Sequence, residues 1–376
     1  MSRAPTILLA LLASTGVCLA DAPRSPTPKS VDGPLKVNEI ATGLKSPWGL
    51  ALLPDGRMLV TERGGQLRIV AKDGKVSAPL GGVPAVAAKG QGGLLDVTLS
   101  PSFATDNLIY LSYSEPGEDG TAGTSVARAR LGDTAIDSLQ VIWRQTPKTS
   151  GPNHFGSRIV FRNDGTLFIT TGDRFTERPK VQDLSTTIGK VVRINADGSI
   201  PADNPFVNRG GARPEIWSYG HRNSQAAALR SDGTLWTVEH GAKGGDELNH
   251  PEAGKNYGWP VITYGVDYSG VKIGEGTEKA GMEQPVYYWD PVIAPSGAAF
   301  YSGKAFPQWE GQLFVGSMNP GGLVRLELVD GKVASETRYL GERNERIRDV
   351  QVGADGYFYL ITDNPTAGKL LQVVPK

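Results

Sequence analysis

A short unit recurs six times along this chain: an apolar segment, a tight turn that usually contains Asp-Gly, and a second apolar segment. The first copy runs from Ser46 to Glu62, with the turn Pro54-Asp55-Gly56 between its two segments. Later copies begin near residues 93, 158, 226, 297 and 349. Apolar segments joined by Asp-Gly turns are typical of β-hairpins. The recurrence therefore predicts a chain built from repeated antiparallel sheets.

The spacing of these copies, roughly 45 to 70 residues, matches four-stranded propeller blades with loops of variable length. We therefore predict an all-β fold for residues 35–376, a six-bladed β-propeller with four-stranded antiparallel blades. The last apolar segment, 368–374, is expected to close the ring against the first blade, because closure removes open sheet edges. Loops from every blade meet near the axis of such a ring, so distant residues can form one site.

The first twenty residues have the features of an export signal. Arg3 precedes an apolar run from Ile7 to Leu12, and small residues surround Ala20. This run is too short to span a bilayer. We predict a signal peptide at 1–20, a flexible Pro- and Ser-rich linker at 21–34, and a periplasmic protein. The single cysteine, Cys18, would be removed on cleavage, which we favour over lipidation because Val17 precedes it.

The charge balance limits the possible partners. The chain has 39 basic and 39 acidic residues, and removing Arg3 leaves 38 against 39. A nearly neutral surface argues against nucleic-acid binding and against electrostatic membrane attachment. No later segment is apolar enough for stable membrane insertion. For the oligomeric state, we expect a monomer or a homodimer.

His154 and Asp173 are a candidate base and its partner. His154 precedes the third repeat, and Asp173 follows the next apolar segment, so both could lie near the axis. A carboxylate on one ring nitrogen fixes the tautomer and raises the basicity of the other nitrogen. A lone histidine often serves packing instead, so the pair is only moderately specific.

Three arginines indicate an anionic ligand. Arg222 precedes the fourth repeat, and Arg346 and Arg348 alternate at the start of the sixth, so the latter two should point to one side of a strand. An anion between them would offset their repulsion. Pairing with Glu342 and Glu345 is the structural alternative.

The loop Gly241-Ala242-Lys243-Gly244-Gly245 is a weak candidate for cation binding. It is not a phosphate-binding fingerprint, because no helix is predicted to follow it. Its carbonyls, with Asp246 and Glu247 close by, are the oxygen ligands that calcium prefers.

These residues resemble the soluble pyrroloquinoline quinone (PQQ)-dependent aldose sugar dehydrogenases, a family of glucose/sorbosone dehydrogenase-like quinoproteins. The resemblance covers roughly residues 37–375. Its motifs identify the family when taken together, whereas any one of them alone would not. The matching stretches are GQGGLL at 90–95, IGKVVRI at 188–194, DGSIP at 197–201, GHRN at 220–223, NYGWP at 256–260, APS at 294–296 and RIRD at 346–349.

The resemblance implies a role for each candidate in sugar oxidation. His154 would take the proton of the anomeric hydroxyl, with Asp173 orienting it, while a hydride passes from C1 of the sugar to C5 of the quinone. Arg222 would polarise the C5 carbonyl. Gln91 and Asn223 would bind the polar edge of the cofactor.

The resemblance also implies cofactor and metal contacts elsewhere. Arg346 and Arg348 would hold the carboxylates of PQQ, and Tyr268 is a further candidate for cofactor contact. Calcium ligands are implied as well: the Gly241 and Ala242 carbonyls for an ion shared with the quinone, and Glu247 with the Tyr257 carbonyl for a structural ion.

Two departures from the family pattern stand out. Some relatives have a lysine that contacts the cofactor where this chain reads Ser317-Met318-Asn319-Pro320, so cofactor affinity could be lower. The glucose-specialised enzymes have a Trp where this chain has Asp290, so the substrate range cannot be carried over.

The leading hypothesis is a periplasmic, calcium-dependent quinoprotein that oxidises aldoses at C1 to lactones and passes electrons to an external acceptor. One alternative is a cofactor-free, calcium-dependent propeller lactonase or other hydrolase, which would need calcium held by side-chain carboxylates and amides at the axis. Another is a non-catalytic propeller that binds glycans or proteins, which would leave His154, Asp173 and the arginines without a shared purpose.

Overall fold

Six antiparallel sheets contain nearly all of the regular structure in the computed structural model, which describes residues 29–376. The predicted signal peptide and residues 21–28 of the predicted linker lie outside the described residues. In chain order the strands are β1 (Leu35–Leu44), β2 (Pro47–Leu52), β3 (Met58–Glu62), β4 (Gln66–Val70), β5 (Leu94–Leu99), β6 (Leu108–Pro116), β7 (Ala122–Leu131), β8 (Ile136–Arg144), β9 (Ile159–Phe161), β10 (Thr166–Thr170), β11 (Lys190–Asn195), β12 (Ile216–Tyr219), β13 (Ser224–Leu229), β14 (Leu235–Glu239), β15 (Asp246–Asn249), β16 (Tyr287–Trp289), β17 (Pro295–Phe300), β18 (Leu313–Ser317), β19 (Gly322–Val329), β20 (Lys332–Tyr339), β21 (Ile347–Val352), β22 (Phe358–Thr362) and β23 (Gly368–Pro375).

Within the described residues, helical structure is limited to single turns. One short α-helix, α1, spans Phe103–Asp106, and 3₁₀ turns span Glu118–Gly120, Arg178–Val181, Pro307–Trp309 and Gly341–Arg343. Among residues 29–376 no helix has the length and apolar character needed to cross a membrane.

The sheets form a closed ring. The innermost strands β2, β5, β9, β13, β17 and β21 each contact the next in a cycle, and β21 contacts β2. Each of these strands comes from one of the six repeats, and within a blade the strands follow one another outward. The predicted six-bladed β-propeller is therefore confirmed.

Ring closure differs from the prediction. The prediction joins segment 368–374 to the first blade, but β23 is the third strand of the sixth blade, whose order is β21-β22-β23-β1. The first strand of the chain fills the outer position, with Leu35 opposite Pro375 and Glu39 opposite Leu371. Backbone hydrogen bonds between the two ends of the described chain therefore hold the ring closed.

Blade 1 has the least regular outer edge. Its sheet contains only β2, β3 and β4, whereas the other five blades have four strands. Residues 76–80 occupy the fourth position: Ser77 N donates to the Ile69 carbonyl at 2.8 Å, and Leu80 N donates to the Leu67 carbonyl at 2.9 Å. This segment covers the edge of β4 without forming a continuous ladder.

Polar side chains fasten the inner strands together at the axis. The strands surround a cavity of about 490 Å³ whose lining includes Asp96, Arg158 and Asp349. The buried Arg158 guanidinium lies 3.0 Å from Asp96 and 3.1 Å from Asp349, and it donates to the carbonyls of Gln225 and Arg348. A single arginine thus bonds residues from blades 2, 4 and 6.

Candidate active site

His154 and Asp173 form a buried pair. His154 lies in the loop before β9 and Asp173 follows β10, and His154 Nδ1 is 2.6 Å from Asp173 Oδ1. The carboxylate also accepts hydrogen bonds from Trp259 Nε1 at 2.8 Å and from Phe175 N at 2.7 Å. Because both oxygens are held, the orientation of the carboxylate, and through it that of the imidazole, is fixed.

The environment of His154 favours its neutral form. Burial lowers the pKa of His154, and the positive charge of Arg222 acts in the same direction, while the hydrogen bond to Asp173 partly opposes them. Burial raises the pKa of Asp173, but the contacts with His154 and Arg222 bring it below its usual value. An ionised Asp173 beside a neutral imidazole places the ring proton on Nδ1, which leaves the Nε2 lone pair able to accept a proton.

Arg174 holds the loop that carries His154. Its guanidinium donates to the carbonyls of Asn153 and Gly151 and lies 3.5 Å from the centre of the Phe155 ring. Burial lowers the pKa of Arg174 to about 10. Gln91, a predicted cofactor ligand, accepts a hydrogen bond from His154 N at 2.9 Å, so it also contacts this loop.

Arg222 and Asn223 lie directly beside this pair. The Arg222 carbonyl accepts a hydrogen bond from Asp173 N at 2.8 Å, and Asn223 Oδ1 accepts one from Gly156 N at 3.1 Å. The Arg222 guanidinium donates to the His240 carbonyl at 3.1 Å and lies over Trp259. Its Nε is buried and has no hydrogen-bond partner among the described residues.

Arg346 and Arg348 meet at one carboxylate, Asp363. Arg346 Nη2 and Arg348 Nη2 each lie 3.0 Å from it, on different oxygens. The alternative that paired these arginines with Glu342 and Glu345 is wrong for Glu345, which instead bonds Arg343 and Lys369. One carboxylate balances only one of the two guanidinium charges.

Two further arginines, Arg63 and Arg158, lie near Arg348. Burial lowers the pKa of Arg348, and the nearby charges of Arg63 and Arg158 add to that effect. Arg348 Nη1 donates to Gln225 Oε1 at 3.0 Å, but Nε is buried without a partner among the described residues. A buried guanidinium N–H without a partner, in a cluster of arginines, is suited to an anionic ligand.

The segment at the end of β18 takes part in the cluster. The Met318 carbonyl, from the stretch where some relatives have a lysine, accepts a hydrogen bond from Arg346 Nη1 at 3.0 Å. Where some relatives have a lysine side chain, this segment therefore contributes a backbone carbonyl that positions Arg346.

The loop 241–245 is fixed by Asp246. Asp246 Oδ1 accepts a hydrogen bond from Gly241 N, and Oδ2 accepts two, from Ile293 N and Ala294 N, all at 2.8 Å. These three hydrogen bonds fix the orientation of the Asp246 carboxylate, and its contribution of oxygen ligands to a metal stays a prediction. The contact with Gly241 N also holds the start of the loop, where the carbonyls of Gly241 and Ala242 lie.

Two carboxylates, the buried Glu239 and the partly buried Glu247, face each other next to this loop. Glu239 lies opposite Glu247 in the β14–β15 ladder, and both line a small cavity with Gly241 and Tyr257. Burial and the charge of Glu239 raise the pKa of Glu247 well above its usual value. Asn249 Nδ2 donates to both carboxylates, while its Oδ1 is buried without a partner in the described part of the chain.

This acidic pair fits a cation. Like charges directly opposite each other destabilise a sheet, and a divalent ion would offset their repulsion. Within residues 29–376 no group of three or more His, Cys, Asp or Glu side chains could hold a metal, so backbone carbonyls such as that of Tyr257 would have to complete the ligand set. Glu239 was not predicted from the sequence.

Tyr268 lies at the mouth of the site. Its side chain is 59% exposed, and its hydroxyl is 3.5 Å from Arg222 Nη2.

The structure thus brings groups from five blades to one end of the axis. The predicted residues gathered there are His154, Asp173, Gln91, Arg222, Asn223, Gly241, Ala242, Glu247, Tyr257, Tyr268, Arg346 and Arg348, and those that the sequence analysis missed are Trp259, Arg174, Arg63, Glu239 and Asp363.

A family model described as Glucose / Sorbosone dehydrogenase matches residues 44–372. The chain belongs to the glucose/sorbosone dehydrogenase family. It is 49% identical over 348 residues to the aldose sugar dehydrogenase YliI of Escherichia coli strain K12, an alignment that covers 91% of this chain and 93% of that protein. It is 29% identical over 450 residues to quinoprotein glucose dehydrogenase B of Acinetobacter calcoaceticus, covering 97% and 93% of the two chains.

Solved structures of the family have the same fold. The apo-form crystal structure of the soluble aldose sugar dehydrogenase from Escherichia coli superposes with a TM-score of 0.88 at 48% identity, covering 91% of this chain and all of that one. The PQQ-bound aldose sugar dehydrogenase of Streptomyces coelicolor superposes with a TM-score of 0.76 at 29% identity, covering 90% and 98%. The resemblance inferred from the motifs is thereby confirmed.

Proposed function

We propose that this chain is a PQQ-dependent aldose dehydrogenase that oxidises the C1 hydroxyl of aldoses to a lactone and acts in the periplasm. Membership of the glucose/sorbosone dehydrogenase family makes it an oxidoreductase acting on sugar CH–OH groups. One observation supports PQQ dependence and oxidation at C1: a neutral His154 is held by Asp173 beside a cluster of incompletely neutralised arginines.

PQQ fits this arginine cluster chemically. The cofactor carries carboxylates and quinone carbonyls, all of them hydrogen-bond acceptors. The buried Nε atoms of Arg222 and Arg348 are donors without partners among the described residues, and Arg63 and Arg346 lie in the same cluster. We assign the carboxylates to Arg346 and Arg348, the reactive carbonyl to Arg222, and the remaining polar edge to Gln91 and Asn223.

The side chains of the protein supply the proton transfer. When bound, PQQ would be the oxidant that accepts the two electrons of the C1–H bond as a hydride. His154 Nε2 takes the proton of the anomeric hydroxyl, so that the C1–O bond becomes a carbonyl as the hydride leaves. Asp173 stabilises the imidazolium that results. Arg222 offers positive charge where negative charge develops, in a buried site in which such stabilisation is strong.

Calcium has two candidate positions in this proposal. The carbonyls of Gly241 and Ala242 would hold an ion shared with the cofactor, where it supplies Lewis acidity. Glu239, Glu247 and the Tyr257 carbonyl would hold a second, structural ion between two carboxylates that otherwise repel each other.

The carboxylates at the axis do not favour the lactonase alternative. Such an enzyme would need carboxylates and amides free to bind calcium there, whereas Asp96 and Asp349 are bonded to Arg158 and to backbone amides. A non-catalytic propeller would give no reason for a base, its oriented carboxylate and a cationic cluster to lie together.

Reconstitution of the apo-protein tests the proposal. Purified protein would be mixed with PQQ and calcium, and reduction of an electron-accepting dye would be followed with a panel of aldoses. Sugar-dependent reduction that needs PQQ is the expected result, with the lactone identified as product. Absence of PQQ binding would contradict the proposal and direct attention to lactone hydrolysis.

A further inference from the structure

Four large apolar side chains are exposed beside the candidate active site. Phe175, Val266, Tyr268 and Val271 lie on two neighbouring loops and are 36%, 38%, 59% and 65% exposed. A group of exposed apolar side chains next to a reactive site commonly marks a binding surface. Phe175 is the member nearest the proposed base: its ring centre is 5.4 Å from that of His154, in an edge-on arrangement.

The backbone around Phe175 is held in an unfavourable conformation. Arg174 and Phe175 have φ angles of +54° and +66°, a region that residues with a side chain rarely adopt. Phe175 N donates to Asp173 Oδ1 at 2.7 Å, so this conformation is tied to the same carboxylate that orients His154. Strain that persists next to a reactive group points to a functional use of the side chain.

A salt bridge fixes the two loops relative to each other. Arg178 Nη1 lies 3.1 Å from Asp267 Oδ2, and the guanidinium lies 5.7 Å from the Phe175 ring and 5.5 Å from the Trp259 ring. Phe175 is therefore placed by Arg178 and His154 while part of its surface stays open.

We propose that Phe175 is a specificity-determining residue that contacts the apolar C–H face of an aldopyranose. This inference rests on the proposed function. A pyranose has hydroxyls along its edge and C–H groups on its faces, and an exposed aromatic face binds such a surface while the hydroxyls stay free for polar groups. Contact with Phe175 would hold the sugar with its anomeric hydroxyl near His154.

The test uses the protein reconstituted with PQQ and calcium. Phe175→Ala removes the ring, and Phe175→Asn removes it with a residue that tolerates positive φ, which separates loss of the ring from a change in the backbone. Phe175→Trp keeps an aromatic surface. Leu139→Ala, at a side chain of similar exposure on β8, is the matched control.

The expected result is selective for the sugar. Phe175→Ala and Phe175→Asn should each raise KM about tenfold, the value of one aromatic contact, for the aldose of the panel that the unchanged protein oxidises best, and weaken binding of its lactone product in calorimetry to a similar degree. Phe175→Trp should stay within about threefold of the unchanged protein, and Leu139→Ala should not differ from it. Affinity for PQQ, from absorbance titration, should be unchanged in all four variants.

Three results would overturn the inference. An unchanged KM for sugar in both ring-deleting variants would remove the contact. A rise in KM for the electron acceptor alone would make the exposed group of Phe175, Val266, Tyr268 and Val271 a surface for the acceptor. Weaker PQQ binding would make Phe175 a cofactor contact. If the unchanged protein oxidises aldoses, each of these results contradicts only this inference; if it does not bind PQQ, the proposed function fails first.

Discussion

At the scale of single residues, the chemistry depends on how much each charge is neutralised by its neighbours. His154 is kept neutral because burial and Arg222 outweigh the effect of Asp173 on its pKa. Arg346 and Arg348 share one carboxylate, so part of their charge is available to a ligand. The same polar groups thus provide a proton acceptor and an anion-binding surface in adjoining positions.

Replacing the base should separate catalysis from cofactor binding. His154→Ala should lower kcat about 10²- to 10⁴-fold, the usual contribution of a general base, and leave the Kd for PQQ nearly unchanged. Stopped-flow reduction of the bound quinone by the best aldose of the panel and an absorbance titration measure the two effects. His250→Ala is the control, because His250 is partly buried against Trp236 on blade 4. Full activity of the His154 variant would disprove the assignment.

The pH dependence follows from the lowered pKa of His154. A base must be unprotonated, so kcat/KM should be flat near neutral pH and should fall only as the pH drops below about 6.5, the ordinary histidine value. Asp173→Asn removes a charge that raises the pKa of His154, so the acid limb should move to lower pH while the plateau falls at least about a hundredfold. An acid limb above pH 7 in the unchanged protein would contradict this assignment.

Arg348→Ala should act mainly on binding. Loss of one charge-assisted contact should weaken PQQ affinity about 10- to 100-fold, measured by absorbance titration of the apo-protein. Arg338→Ala is a suitable control, since Arg338 is equally buried and pairs with Glu336 on the outer strand of blade 5. Equal PQQ affinity in the Arg348 variant and the unchanged protein would remove this arginine from the site.

At the scale of elements, the site is built where inner strands and their adjoining loops meet. The sequence was enough to place His154 and Asp173 together, because they flank successive strands of one blade at the same edge. The sequence was not enough to place Asp363 or Trp259. Both lie in loops, and the repeat pattern does not predict the course of a loop. The outer edge of blade 1 was missed for the same reason, since residues 76–80 contribute isolated hydrogen bonds instead of a ladder.

Gly172 shows how closely these elements approach one another. A Cβ on Gly172 would lie 2.2 Å from the His154 carbonyl oxygen and 3.1 Å from Asn223 Oδ1. Gly172→Ala should therefore displace the His154 loop, lower the free energy of unfolding by about 1–3 kcal/mol and reduce kcat. Gly210→Ala, where no atom lies within 4 Å of the added Cβ, should be neutral in thermal unfolding and in activity. Equal behaviour of the two variants would show that the loop accommodates the methyl group.

At the scale of the whole molecule, the ring is held closed in two places. At its outer edge, the two ends of the described chain share the β1–β23 ladder. At the axis, Arg158 bonds Asp96 of blade 2, the Gln225 carbonyl of blade 4 and Asp349 of blade 6. Repeats in a sequence predict the number of blades, but not which strand completes the last one or which side chains join the blades at the centre.

Arg158 also lies directly beneath the cationic cluster, because its Nη2 donates to the Arg348 carbonyl at 3.2 Å. Burial raises the pKa of both Asp96 and Asp349, and the charge of Arg158 opposes that rise. Removing the arginine would leave two buried carboxylates without a cation, which is far more costly than removing the whole group.

Arg158→Met should therefore lower the free energy of unfolding at neutral pH by about 3–5 kcal/mol, measured by chemical denaturation. For a carboxyl whose folded-state pKa is raised, the folded protein binds more protons than the unfolded chain, so stability increases as pH falls through that pKa. The deficit of the variant should accordingly be smaller at about pH 5 than at about pH 7.5, and adding Asp96→Asn should restore part of the loss at the higher pH. A deficit that is independent of pH and unaffected by Asp96→Asn would mean that lost packing, and not uncompensated charge, sets the role of Arg158 at the axis.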